Sequence, residues 1–246
     1  MSVQRPNPGR ADERGRAYKG SQRQIQRYVN ECPARLNQAI LACVPSLATP
    51  APQVTWVSPL DEKRCAEYSD REFLERLGLA DLWPALRKFW PSGGPVWDGL
   101  ARLRWGHERG VLLVEAKSYP EECRSACRAS PQSLATIQNA IRQTQHAFCA
   151  SSSRAWLHEY YQLANRLAHL HFLRQQGVHA WLVLLLLTDD WKKTPQTLWE
   201  QELSTVWVSL GLRAEHPWIG RVFLSVPGEG AKTLIPERSS LMSVSH

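Results

Sequence analysis

The stretch that decides the fold of this chain is Val111-Leu112-Leu113-Val114-Glu115-Ala116-Lys117. Four consecutive apolar residues followed by charged ones predict a buried strand, here over residues 111–118. Because side chains alternate between the two faces of a strand, Glu115 and Lys117 share one face. An acid and a lysine are therefore expected side by side at the end of a core strand.

A second acid lies on the strand predicted just upstream, over residues 96–104, where Asp98 occurs in Val96-Trp97-Asp98-Gly99. If residues 106–109 form a four-residue hairpin loop, Asp98 lies directly across from Lys117. Directly opposed residues share a sheet face, so Glu115 lies on that face too. A slip of one residue would turn Asp98 to the other face, which makes the register the decisive test.

The remaining pattern alternates helices with strands, as is typical of the α/β class. Helical spacing of apolar residues predicts helices over 21–44, with Pro33 as an interruption, and over 69–90, 131–149, 154–176 and 195–210. Further strands are predicted at 54–57, 178–188 and 221–226. We expect one domain with a helical N-terminal extension over 21–228, between a disordered basic tail at 1–20 and a loose tail at 229–246.

Charge is concentrated at the N-terminus. The 246 residues carry a formal net charge of +7, and residues 1–28 hold seven Arg or Lys against only two acids. Such a basic arm can raise the encounter rate with polyanions such as nucleic acid and add phosphate contacts that are independent of sequence. A solvated tail with no partner explains the same charges equally well.

Apolar runs and cysteines indicate the compartment. The longest apolar run, Ala180 to Leu187, is far shorter than the roughly 20 residues that span a bilayer, so no membrane partner is expected. The first twenty residues lack the apolar core of a secretory signal. Six cysteines spread over a chain with ample core material favour reduced thiols without disulfides, and hence a cytoplasmic protein.

The acid, acid and lysine set suits phosphodiester hydrolysis. Carboxylate oxygens hold Mg²⁺ (or Mn²⁺), which lowers the pKa of a bound water and stabilises charge on a phosphate. Lys117 could orient that water or neutralise the developing charge. The spacing alone is weak, because Asp61-Glu62-Lys63 and Asp190-Trp191-Lys192 repeat it. An exposed ion pair of strand ends, contributing about 0–1 kcal/mol, is the plain alternative.

With these residues the chain resembles the PD-(D/E)xK nuclease superfamily, the restriction-endonuclease-like fold. More narrowly, the segments 94–99, 113–118 and 161–167 resemble a bacterial group of unassigned role with that fold, and the resemblance covers roughly residues 20–228. Trp97 stands where the motif's name has Pro.

The resemblance implies a central mixed sheet flanked by helices, with Asp98 and Glu115 as metal ligands and Lys117 as the catalytic lysine. It also implies a further acid from the preceding helix, for which Glu72 and Glu75 are the candidates. Gln162 and Arg166 lie on one face of a later helix and could touch DNA or the site, although a structural pair is an equal alternative. One nuclease branch has Tyr where this chain has Arg166.

Two other functions stay open. A module that binds DNA or protein on the nuclease architecture without turnover is compatible with the same fold. Cys123, Cys127, His146 and Cys149 offer four soft ligands for a structural zinc, at a spacing unusual for zinc sites. The leading expectation is an Mg²⁺-dependent nuclease that hydrolyses DNA.

Overall fold

The computed structural model describes residues 11–48, 50–151, 153–213 and 215–227. Its helices are α1 Gly20–Glu31, α2 Pro33–Cys43, α3 Pro45–Ala48, α4 Asp70–Leu77, α5 Trp83–Phe89, α6 Pro131–Ala147, α7 Ala155–His158, α8 Tyr161–Gln175 and α9 Gln196–Leu210. Its strands are β1 Gln53–Ser58, β2 Gly99–Trp105, β3 Glu108–Lys117, β4 His179–Leu187 and β5 Ile219–Leu224. Short 3₁₀ turns occupy Asp61–Lys63, Ala80–Leu82 and Pro120–Cys123.

The five strands form one mixed sheet in the order β1-β2-β3-β4-β5. β1, β2 and β3 pair antiparallel, whereas β4 and β5 continue from β3 in parallel. Eight of the nine residues of β4 are buried, which explains its continuous apolar run: a strand covered on both faces has no polar side to show. The predicted α/β class with a central mixed sheet flanked by helices is confirmed.

Helices cover the sheet on both faces. On one face Leu113 and Leu184 join a core that includes Phe73 of α4 and Leu167 of α8. On the other face Leu112 and Val183 of the sheet pack in a core that includes residues of α1 and α2 such as Ile25 and Leu36. The N-terminal helices are therefore one of the two layers that bury the sheet.

The hairpin between β2 and β3 is tighter than the sequence predicts. Trp105 pairs with Glu108, so the loop is Gly106-His107, with Gly106 at a φ of +56°. The four-residue loop is wrong because Glu108 and Arg109 take part in the strand pairing. Gly99 lies opposite Val114, and one further step places Asp98 opposite Glu115 instead of Lys117. The shift is two residues, so Asp98, Glu115 and Lys117 keep a common face.

Residues 11–19 are packed against the domain. Ala11 bridges Ala17, which is buried and whose amide donates to Gln26 of α1. Arg16 forms an ion pair with Asp61. A disordered tail through residue 20 is therefore wrong for residues 11–20, while residues 1–10 and the tail expected at 229–246 lie outside the described residues.

Two features bear on the expected compartment and partners. No described helix is long and apolar enough to cross a membrane. All six cysteines are free thiols, with Cys32 and Cys65 buried and Cys43 and Cys149 exposed.

Candidate active site

The two central strands bring the three predicted residues together at the carboxyl end of β3. Lys117 Nζ lies 2.5 Å from Glu115 Oε1. Asp98 Oδ2 accepts a hydrogen bond of 2.7 Å from the backbone amide of Ala116, which fixes the acid against the next strand. Only 3% of Glu115 is exposed, so this is not the solvated ion pair of the plain alternative.

Helix α8 adds the two residues suggested for its polar face. Gln162 Oε1 accepts a hydrogen bond of 2.8 Å from Lys117 Nζ, and Arg166 Nε lies 2.6 Å from Glu115 Oε2. Arg166 also donates to the carbonyl of Val96, two residues before Asp98. Gln162 and Arg166 are one helical turn apart, which places both heads over the end of β3.

Glu115 is thus held between two cations, one on each carboxylate oxygen. A buried carboxylate loses the hydration that stabilises its charge, so it needs good partners to stay ionised. Burial alone raises the pKa of Glu115, but Arg166 and Lys117 outweigh it and lower the pKa below its ordinary value. Burial likewise lowers the pKa of Lys117, yet Glu115 and Asp98 raise it overall. Glu115 and Lys117 are both charged at neutral pH.

A third acid, Glu67, joins the cluster and escaped the sequence prediction. Tyr68 bridges Trp97, which brings Glu67 beside Asp98. Burial and the charge of Asp98 raise the pKa of Glu67 to about 8, and Gln22 donates to its carboxylate. Glu67 lies just before α4, outside any helix or strand that the apolar pattern predicts. The sequence therefore contains no signal for it apart from its position upstream of Asp98.

Glu72 and Glu75 do not take the part suggested for them. The buried residues of α4 are Phe73, Leu74 and Leu77. Glu72 and Glu75 are not on this buried face. Glu75 is exposed and lies 2.7 Å from Arg71. Among the described residues no hydrogen bond or ion pair links Glu72 to the cluster. The further acid beside Asp98 is Glu67, which lies in the segment before α4.

The pKa of Asp98 is raised as well. Burial, followed by repulsion from Glu115, raises its pKa to about 7. Lys117 and Arg166 oppose this rise, but two cations do not balance three carboxylates. At neutral pH Asp98 and Glu67 therefore hold their protons far more firmly than ordinary acids do.

Carboxylate oxygens are the ligands that a hard divalent cation prefers. Asp98, Glu115 and Glu67 supply carboxylate oxygens, and a cation would relieve the repulsion that raises two of their pKa values. Within the described part of the chain, no three or more His, Cys, Asp or Glu side chains are already arranged around a metal position. The four suggested zinc ligands, Cys123, Cys127, His146 and Cys149, likewise form no such group.

An apolar cavity of about 30 Å³ adjoins the cluster. Glu115, Lys117 and Gln162 border it, together with apolar side chains such as Leu163 and Leu184. The volume is about that of one water molecule, but the cavity surface is almost wholly apolar, and a cavity of that kind stays dry.

None of the protein families, curated proteins or solved structures compared with the chain matches it. Functional inference therefore comes from the geometry and charge of the site.

Proposed function

We propose that this protein is an Mg²⁺-dependent nuclease of the PD-(D/E)xK, restriction-endonuclease-like type that hydrolyses DNA phosphodiesters. The observation that carries the proposal is the buried Glu115, held between Lys117 and Arg166, with Asp98 across the hairpin. A protein gains little stability from burying such a group, since apolar residues of similar size often do as well or better. A buried carboxylate with two cations is therefore better explained by a chemical role than by stability.

Each residue has a distinct task in the proposed reaction. Asp98 and Glu115 hold the metal, which would supply a water of lowered pKa and positive charge for the phosphate. Lys117 is fixed by Glu115 and Gln162, so its ammonium can orient the attacking water or stabilise charge on the phosphate. Arg166 is buried and acts through Glu115 and the Val96 carbonyl, which makes it a positioning residue.

A groove of arginines supports a polyanionic substrate. Arg102, Arg104 and Arg109 line a depression of about 350 Å³ on the sheet face that also carries Glu115. Arg104 and Arg109 are directly opposed across β2 and β3, an arrangement of like charges that is unfavourable by itself. No acidic side chain lines the groove among the described residues. A row of phosphates would offset the repulsion.

The nuclease-like architecture is supported by three features of the chain. The sheet is mixed, Asp98 immediately precedes β2 while Glu115 lies on the antiparallel neighbour β3, and a following helix supplies a side chain to the lysine. Trp97, in place of Pro before the acid, is fully buried and lies under the Arg166 guanidinium, 5.0 Å from its ring centre. The substitution thus fills space beneath the positioning arginine.

The test is cleavage of a mixed set of DNA substrates with Mg²⁺ or Mn²⁺. Asp98→Asn and Lys117→Met should each lower the rate by about 100-fold or more, because each removes charge from the reacting centre. Lys63→Met, at the exposed lysine of Asp61-Glu62-Lys63, is the matched control and should cleave normally. Absence of metal-dependent cleavage by the native protein, or full activity of Lys117→Met, refutes the proposal.

A binding module without turnover is the second candidate. It is favoured by the engagement of both Glu115 oxygens and by the lack, in the described residues, of a ready three-ligand metal group. Isothermal titration separates the two: the nuclease should bind Mg²⁺ or Mn²⁺ and lose that binding in Asp98→Asn. A binding module shows no metal binding that depends on Asp98.

A further inference from the structure

A cluster of exposed aromatic rings lies next to the carboxylates. Tyr18 and Trp191 are 57% and 55% exposed, and they border a depression of about 510 Å³ together with Tyr119. We call Tyr18, Tyr119 and Trp191 the aromatic platform. Large apolar side chains grouped on a surface in this way are a common mark of a binding site.

Two rings of the platform meet at a right angle, and lysine ammonium groups lie over them. The rings of Tyr119 and Trp191 lie 5.4 Å apart with an interplanar angle of 86°. Lys192 Nζ lies 3.9 Å from the Tyr119 ring centre, and Lys19 Nζ lies 5.6 Å from that of Trp191. The platform therefore combines flat apolar surfaces with nearby cations.

Two residues on the wall of the depression are hydrogen-bonded to the acid cluster and to the end of β3. Gln22, on its wall, donates to Glu67, and Glu122, on the same wall, accepts from the amide of Ser118. Tyr119 follows Lys117 by two residues. A chain molecule whose phosphate lies at Lys117 would thus have its neighbouring unit over the platform.

We propose that the aromatic platform stacks on an unpaired nucleobase of a single-stranded nucleic acid whose backbone enters the active site. The inference rests on the proposed function and narrows its substrate class. Bases in a duplex have both faces covered, whereas an unpaired base offers a face that a Trp or Tyr ring can cover.

The local charges indicate that stacking dominates this contact. Lys192 is 3.6 Å from Glu121, and Glu122 also borders the depression, so acids offset much of the lysine charge. Binding at the platform should consequently depend less on salt than binding along the arginine groove does.

The experiment compares a labelled 12-nucleotide single strand with its duplex, by fluorescence anisotropy in EDTA. Trp191→Ala should weaken single-strand binding roughly tenfold and leave duplex binding within twofold, since stacking of one base is lost. Trp191→Phe keeps a ring and should retain most of the affinity. Val208→Ala, at a residue 78% exposed on α9, is the matched control and should change neither.

The proposal is overturned if Trp191→Ala lowers the affinity for the single strand and the duplex equally, or if it lowers neither affinity. So does a change of oligomeric state in Trp191→Ala without an effect on DNA, since that marks a protein interface. Tyr119→Ala, checked by its thermal melt, repeats the test if the first variant does not fold. The binding measurement needs no turnover. If Trp191→Ala weakens single-strand binding but the native protein does not cleave DNA, only the nuclease proposal is refuted. If the native protein cleaves DNA but Trp191→Ala binds the single strand normally, only the platform proposal is refuted.

Discussion

Glu115 is the residue on which the site depends. Its carboxylate receives Lys117 on one oxygen and Arg166 on the other, in a place with 3% exposure. Its position at the end of an apolar run made it predictable, because strand alternation puts Glu115 and Lys117 on one face. Glu67 was not predictable in the same way, since its place depends on the bridge between Tyr68 and Trp97, which are far apart in sequence.

Removing Arg166 should show how much the stability of the protein depends on the pairing of Glu115. Arg166→Ala leaves Glu115 buried with one partner fewer, so we expect a loss of about 3–5 kcal/mol in the free energy of unfolding. Arg71→Ala removes a similar arginine from the exposed pair with Glu75 and should cost about 0–1 kcal/mol. Urea unfolding of both variants measures the contrast. If both variants lose the same free energy of unfolding, the buried Arg166–Glu115 pair contributes no more to stability than the exposed pair.

The β2–β3 hairpin is the element that sets the site. Its strands and their common face followed from the apolar pattern, but the register did not, because hydrophobicity fixes which face is buried and not how tight the turn is. Glu108 and Arg109 are polar residues that could belong to a loop or an exposed strand end. The structure assigns them to β3.

The same hairpin carries the arginine groove, and its role can be measured by salt dependence. The double variant Arg104→Ala/Arg109→Ala should bind duplex DNA more weakly, with the slope of log K against log salt reduced by about 2. Arg35→Ala, on α2 in the opposite layer, is the control and should keep the native slope. An unchanged slope in the double variant would show that phosphates do not contact the groove.

At the scale of the whole molecule, the N-terminal helices are part of the core. The sequence predicts helices there, but their packing partner could not be read from periodicity, which shows an apolar face without saying what covers it. In the structure, residues of α1 and α2 lie in the core formed on one face of the sheet. Gln24 of α1 also donates to the buried Asp190, which accepts from Ser118 beside Lys117.

A cavity in this layer should therefore weaken the entire protein. Leu36 of α2 is fully buried, and Leu36→Ala should cost about 2–5 kcal/mol in the free energy of unfolding. Leu198→Ala, at a leucine 44% exposed on α9, should cost far less. Chemical denaturation followed by tryptophan fluorescence and far-ultraviolet circular dichroism checks both. A small loss in Leu36→Ala would indicate that the extension folds apart from the sheet.

The hydrogen bond from the Ala116 amide to Asp98 has a consequence for solvent exchange. Ala116 belongs to the central strand, yet on this side its amide is closed by a side chain and not by a neighbouring backbone. The proton of this one amide can leave only when Asp98 moves away or the strand end opens. The hydrogen–deuterium exchange rate of the Ala116 amide therefore reports how often the acid cluster opens. It can be measured in the protein without any substrate.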